Sequence, residues 1–109
     1  MESLTKLEEL VLIAVLKLKE EAYGTSIYKH ILGLTGRDVT VSNVYFPLER
    51  LVRKGYLQAV QGEPTPTRGG MSKRYYQITK SGLAVLQENR ALNSAAWRGV
   101  AGLIKRVKV

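Results

Sequence analysis

Two short runs of strand character, YLQAVQ at 56–61 and RYYQIT at 74–79, bracket the segment GEPTPTRGGMSK, which holds two prolines, three glycines and, prolines aside, one apolar residue, Met71. Such a pair closes as a β-hairpin. The connection is too long for a two-residue turn, and Pro64 and Pro66 stiffen it, so it reads as an arm that reaches outward rather than as a linker. A hairpin of this kind needs a core to stand on, and most of the chain before it has helical spacing.

Thr5 followed by Glu8 fits a capping box, and Leu7, Leu10, Val11, Ala14, Val15 and Leu18 recur at the period of a first helix. Leu12, Ile13 and Leu16 are apolar as well, so this helix asks for burial on two sides, one facing the domain core and the other a partner chain. Tyr23-Gly24 marks a break. Thr25 is expected to cap a second helix to about Leu34, with Ile27, Ile31 and Leu32 inward and Gly33 and Gly36 ending it. Val39 and Val41 alternate like a small strand; Ser42 or Thr40 then caps a third helix, SNVYFPLERLVRK, closed by Gly55, with Val44, Leu48, Leu51 and Val52 inside. Pro47 costs little if that helix begins near Ser42 or Asn43 and kinks it otherwise.

From the cap Thr79 onward the chain is expected to run as one long helix of roughly 40 Å at about 1.5 Å per residue. Leu83, Leu86, Arg90, Asn93, Trp97, Val100, Ile104 and Val107 follow a 3,4 spacing, with Val85, Leu92, Ala96 and Leu103 on the adjacent stripe. A helix projecting from so small a domain cannot bury that face against itself, and pairing with a second copy would.

Charge points to the partner. The net charge is +8, and it is unevenly placed: residues 1–36 hold five carboxylates and four Lys/Arg, whereas residues 64–109 hold nine Lys/Arg and one carboxylate, Glu88. A basic half of this kind is the electrostatic footprint of polyanion binding. At 109 residues one modest core is expected. The absence of cysteine excludes disulfides, thiolate metal sites and Cys nucleophiles and suits a reducing compartment; His30, the single histidine, makes no metal site alone. The apolar run Leu10–Leu16 is too short to span a bilayer, and the start MESLTKLEE has no cationic signal region, so a cytoplasmic protein is expected. With no paired carboxylates in a plausible cleft and no Gly-Lys-Ser/Thr ending after the loop glycines, neither enzyme chemistry nor a cofactor or metal is expected.

Three helices followed by a hairpin with a basic loop is the order of a winged helix-turn-helix. The fold class is thus mainly α with a small β-hairpin wing and a long C-terminal helix. The expected division is a DNA-binding domain over 1–79 and a dimerisation helix over 80–109. The major groove admits a helix, and a cationic loop reaches phosphates or the minor groove beside it. The segments LEELVLIAVLKLKEEAYGTSIYKHI, VSNVYFPLERLVRKGYL and GEPTPTRGGMSKRYYQITKSG, in that order, resemble the PadR family of bacterial transcriptional regulators over about residues 4–90. The resemblance implies a winged-helix DNA-binding domain, a homodimer built through the C-terminal helix and repression relieved by a small-molecule effector; the wing looks like that of the short subgroup with one C-terminal helix. The chain departs from the family pattern in two ways: Phe46 separates Tyr45 from Pro47, and Met71 and Ser72 stand where many relatives are more basic.

The candidate DNA contacts follow. On the third helix they are Ser42, Asn43 and Tyr45, near its N-terminal end, where Asn suits an adenine edge and Ser or Tyr a phosphate, together with Arg53 and Lys54. The blander readings are that Ser42 only caps and Tyr45 packs, and Arg50 is read as the partner of a nearby carboxylate, one on the first helix among them. On the wing they are Arg68, Lys73 and Arg74, with Gly69 and Gly70 supplying the turn and close approach to the DNA backbone. Alternation places Tyr75 with Gln77 and Tyr76 with Ile78, so one tyrosine belongs to the core. Leu83, Leu86, Trp97, Val100 and Ile104 are the expected dimer contacts. Trp97 reads first as a packing anchor; with the dimer axis near it, two copies would stack a small aromatic effector, whose polar groups Arg90, Asn93 and Arg98 orient. The expected function is a sequence-specific repressor acting as a homodimer on double-stranded, palindromic DNA. The alternative is a winged-helix module for protein or RNA contact without sequence preference.

Overall fold

The computed structural model describes residues 3–36, 39–64 and 72–107. Helix α1 covers Lys6–Leu18 and a 3₁₀ turn Lys19–Glu21; α2 covers Gly24–Thr35, α3 Val41–Arg53, β1 Leu57–Pro64, β2 Ser72–Ile78, α4 Lys80–Trp97 and α5 Val100–Arg106. The capping box of α1 is present in both directions: Thr5 Oγ1 accepts from the Glu8 amide at 3.1 Å, and Glu8 Oε1 accepts from the Thr5 amide at 2.8 Å.

The core is a helical cluster closed by the hairpin. Val11, Leu12, Ala14 and Val15 of α1, Ile27 and Ile31 of α2, and Val44, Leu48 and Leu51 of α3 are buried together, with Leu57 and Tyr76 of the hairpin as the floor and Val85 of α4 at one edge. Leu32 and Val52, expected inside, are half-buried at its margin. β1 and β2 pair antiparallel, with Leu57 opposite Ile78 and Ala59 opposite Tyr76, and the register shifts between Gln61 and Pro64. The strap before α2 joins the sheet, because the Tyr76 amide donates to the Ala22 carbonyl at 2.9 Å and Tyr23 bridges Tyr75.

Several local expectations are corrected. Tyr23, not Thr25, caps α2, and Ser26 Oγ accepts the Tyr23 amide at 3.0 Å; with Tyr23 held in a backbone β-bridge to Tyr75, the helix starts two residues earlier. Gly33 lies within α2, which ends at Gly36 in the left-handed region with φ 61°. The strand expected at Val39 and Val41 does not form, because Thr40 caps α3 and Val41 is already its first residue. The helix passes through Pro47, which lies well inside it and is buried. Its missing amide leaves the fourth-residue carbonyl behind it, Asn43, without the usual helical partner. The single long C-terminal helix is interrupted: Arg98 leaves helical geometry and Gly99 takes φ 78°, so α5 starts afresh.

The start of α4 is anchored to the turn after α3. Thr79 Oγ1 and Ser81 Oγ both donate to the Gly55 carbonyl, at 2.6 and 2.9 Å, and the Thr79 amide donates to Tyr56 at 3.1 Å. Gly82 lies so near the Tyr56 carbonyl that a Cβ there would collide with backbone. The radius of gyration, 16.6 Å, exceeds the roughly 13 Å of a compact chain of this size. The excess comes from α4 and α5: from Gln87 to Val107 only Asn89 and Val100 are even half-buried.

Candidate nucleic-acid interface

At about 100° per residue, the buried Val44, Leu48 and Leu51 define the inner line of α3, and Ser42, Tyr45, Phe46, Glu49 and Arg53 fall within about 100° of one another on the opposite side. Tyr45 and Phe46 are large apolar side chains left in solvent, 49% and 61% exposed, with their rings in edge contact at 6.3 Å. Ser42 and Arg53 are exposed as well. Of this outward stripe, Phe46 and Glu49 were not among the expected contacts, although their spacing from Ser42 and Arg53 carries the signal.

The other expected α3 residues lie on a flank. Asn43 Oδ1 accepts from the Thr40 hydroxyl at 2.8 Å and its amide donates to Thr40 Oγ1 at 3.2 Å, so Asn43 completes the helix cap. Lys54 turns toward α1, where its Nζ lies 3.3 Å from Glu8 Oε2, and Arg50 Nε meets the same oxygen at 3.5 Å. The expectation that Arg50 serves a helix-1 carboxylate is thereby met. Glu8 is 1% exposed. Burial alone would raise its pKa, but the Thr5 amide and the Lys54 and Arg50 cations together outweigh it and hold the carboxyl below its ordinary range.

The wing strand brings two cations to the outward face of α3. Lys73 Nζ sits 3.8 Å from the centre of the Tyr23 ring, which packs edge-on against Tyr75 at 5.7 Å. Arg74 Nη1 lies 3.1 Å from Glu49 Oε1, and its guanidinium lies over Tyr76 at 5.6 Å. Tyr76 is the core tyrosine; burial chiefly, together with Glu49 and Tyr45, raises its pKa against the pull of Arg74. Tyr23, Gly24, Thr25, Tyr45, Lys73 and Arg74 line a shallow hollow between α2, α3 and β2. Exposed aromatics, two cations and the first turn of α2 thus share one surface, suited to a polyanion with stacked bases. Arg68, Gly69 and Gly70 lie outside the described residues.

The sequence model of the transcriptional regulator PadR-like family matches residues 12–88. The chain belongs to that family. Solved structures similar to this PadR-like protein include a PadR family transcriptional regulator from Eggerthella lenta, at 29% identity and TM-score 0.67, over 87% of this chain and 80% of that one. The smu.1704 protein of Streptococcus mutans is 22% identical with TM-score 0.69, over 100% and 99% of the two chains. A PadR family transcription regulator from Clostridium difficile is 17% identical with TM-score 0.64, over 94% and 97%. These last two likenesses speak to fold alone, and it is the winged-helix fold expected from the sequence. No curated protein matches. The family is one of transcriptional regulators, and the Eggerthella lenta and Clostridium difficile proteins are described as members of it. No described helix is long and apolar enough to cross a membrane.

Away from the interface, α4 of this PadR-like protein meets α1 through Glu9, whose Oε2 accepts from Asn89 Nδ2 at 2.7 Å and Asn93 Nδ2 at 3.2 Å. Two hollows flank that contact. One, about 580 Å³, is lined by Leu4, Lys6, Glu9, Asn89, Asn93 and Trp97; the other, about 440 Å³ and more apolar, by residues including Ile13, Leu16, Leu83, Leu86 and Arg90. Of the three expected effector residues, Trp97 and Asn93 therefore share a cleft, while Arg90 lines the other groove. The expected dimer residues Leu83, Trp97 and Ile104 are 42%, 62% and 57% exposed, and Leu86 and Val100 are half-buried.

Proposed function

We propose that this PadR-like protein is a sequence-specific, DNA-binding transcriptional repressor that acts as a homodimer. The observation that carries the reading is the outward stripe of α3, Ser42, Tyr45, Phe46 and Arg53, standing beside Lys73 and Arg74 of the wing. In this reading residues 1–79 form the DNA-binding domain and 80–109 the dimerisation segment. The helix lies in the major groove, and the wing cations, Arg68 among them, engage the sugar-phosphate backbone. Dimerisation is favoured by the apolar residues that α4 and α5 leave in solvent, Leu83, Leu92, Trp97, Leu103 and Ile104. Two-fold symmetry then implies a palindromic operator with half-sites about one helical turn apart. A small aromatic effector releases the repressor by binding beside Trp97 and Asn93, where a cleft near 580 Å³ is within the size range of ligand sites.

The test is fluorescence anisotropy of the protein with its own upstream duplex and a scrambled duplex at two salt concentrations. Tight, sequence-preferring binding whose salt slope falls by about 0.9 on replacing Lys73 with Ala supports the reading. Equal, weak binding to both duplexes that vanishes at the higher salt removes it in favour of a protein- or RNA-contact module.

A further inference from the structure

Glu49 occupies an unexpected place. It lies near the middle of the outward stripe of α3, between Tyr45 on one side and Ser42 and Arg53 on the other, and far around the helix from the buried Val44 and Leu51. A carboxylate there faces whatever the helix faces. Against a DNA backbone it would be repelled, and a free acidic group at the centre of such a surface would weaken binding to any sequence.

Two features offset that repulsion. Arg74 of the wing strand donates from Nη1 to Glu49 Oε1 at 3.1 Å, which neutralises the carboxylate and fixes its direction. Guanidinium carries five N–H donors, so Arg74 keeps others for a phosphate while holding Glu49. Glu49 Oε2 accepts no hydrogen bond among the described residues, and the side chain remains 30% exposed. The carboxylate is therefore oriented, charge-compensated and partly exposed, with its second oxygen not engaged by any described residue.

An ionised carboxylate only accepts hydrogen bonds, and the donors available in the major groove are the exocyclic amino groups of cytosine and adenine. On adenine the amino group stands beside the N7 acceptor, which repels a carboxylate, whereas cytosine presents N4 as a donor with no acceptor of its own on that edge. We propose that Glu49, held by Arg74, is a specificity-determining residue that accepts a hydrogen bond from cytosine N4 in each half-site. The inference rests on the DNA-binding reading above and adds one base preference to it.

The experiment is selection of bound sequences from a random duplex library by the wild-type protein, Glu49→Ala and Glu49→Gln. The wild type enriches cytosine at one position of each half-site, with a discrimination of about 5- to 150-fold, the range of a good side chain–base pair. Glu49→Ala abolishes the preference at that position alone. Glu49→Gln, which keeps an acceptor for Arg74 and the side-chain size, moves it toward adenine, whose edge matches a carboxamide. If both variants return the wild-type base frequencies at every position, or if the position that changes favoured another base, the pair is only a brace between strand and helix and the inference is overturned. A wild-type protein that enriches no sequence overturns the DNA-binding reading itself, and this inference with it.

Discussion

Glu9 Oε2 and Asn89 Nδ2 are 2.7 Å apart, and this contact ties the first helix of the domain to the helix that projects from it. Asn93 shares the same oxygen at 3.2 Å. This carboxylate, only 8% exposed, thus joins the Thr79 and Ser81 anchors in setting the direction in which α4 leaves the domain. Two amides on one acceptor give partial redundancy. Asn89→Ala is expected to cost about 1 kcal/mol and Asn89→Ala/Asn93→Ala about 2–3 kcal/mol, more than the single losses combined, because only the double variant strips Oε2 of both amide donors. Urea unfolding of Asn89→Ala, Asn93→Ala and the double variant checks this.

The Glu8 carboxylate, buried beneath Arg50 and Lys54, makes stability depend on acid. Its pKa in the folded chain lies below the ordinary 4.5, so its contribution is fully present above that value and is lost as pH falls through the lower folded-state value. Glu8→Gln should lower stability by about 1–3 kcal/mol at neutral pH by replacing the buried carboxylate that Arg50 and Lys54 face with a neutral amide. The gap to wild type should narrow below pH 4.5. Denaturant titrations at a series of pH values measure both.

Gly82 is required by close approach rather than by an unusual backbone angle. Its missing Cβ makes room for the Tyr56 carbonyl and for Ile78 Cγ1, and the neighbouring Thr79 and Ser81 hydroxyls bind the Gly55 carbonyl in the same turn. Gly82→Ala, ordinarily favourable within a helix, should here destabilise by about 1–3 kcal/mol as the start of α4 is pushed off the hairpin. A lowered thermal midpoint is the expected reading. Gly102→Ala, where nothing lies within 4 Å of the added Cβ, is the contrasting control.

Trp97 is 62% exposed and stands just before the break at Arg98–Gly99. In the proposed homodimer, a ring of that size left in water at the end of an otherwise well-formed helix is the expected anchor of the second protomer. Trp97→Ala should raise the dimer dissociation constant by about 30-fold or more, the scale of an aromatic hot spot, without changing the fold of the domain. Sedimentation over a range of concentrations, with the circular dichroism spectrum as reference, reads both.

The helices, the hairpin and most of the core were legible because their signals are local. Thr5 and Glu8 are three residues apart, Val44, Leu48 and Leu51 recur at the helical period, and the prolines and glycines of 62–73 separate two alternating runs. These features alone determine a basic, mainly helical domain with a wing, whatever its neighbours do. The errors arose where distant segments compete. Thr25 is a good cap in isolation, but the bridge from Tyr23 to Tyr75 starts α2 earlier; the helical pattern of 83–107 is continuous, but Gly99 adopts a backbone angle that ends the run. At the candidate site the same division holds. Periodicity could mark the outward face of α3, yet only packing decided that Lys54 turns to the buried Glu8 and that Arg74 reaches across to Glu49. Residues 8 and 54, or 49 and 74, carry no sequence signal of their pairing, because charges attract through space and the distances between them exist only once α3 has packed on α1 and the hairpin has folded back onto α3.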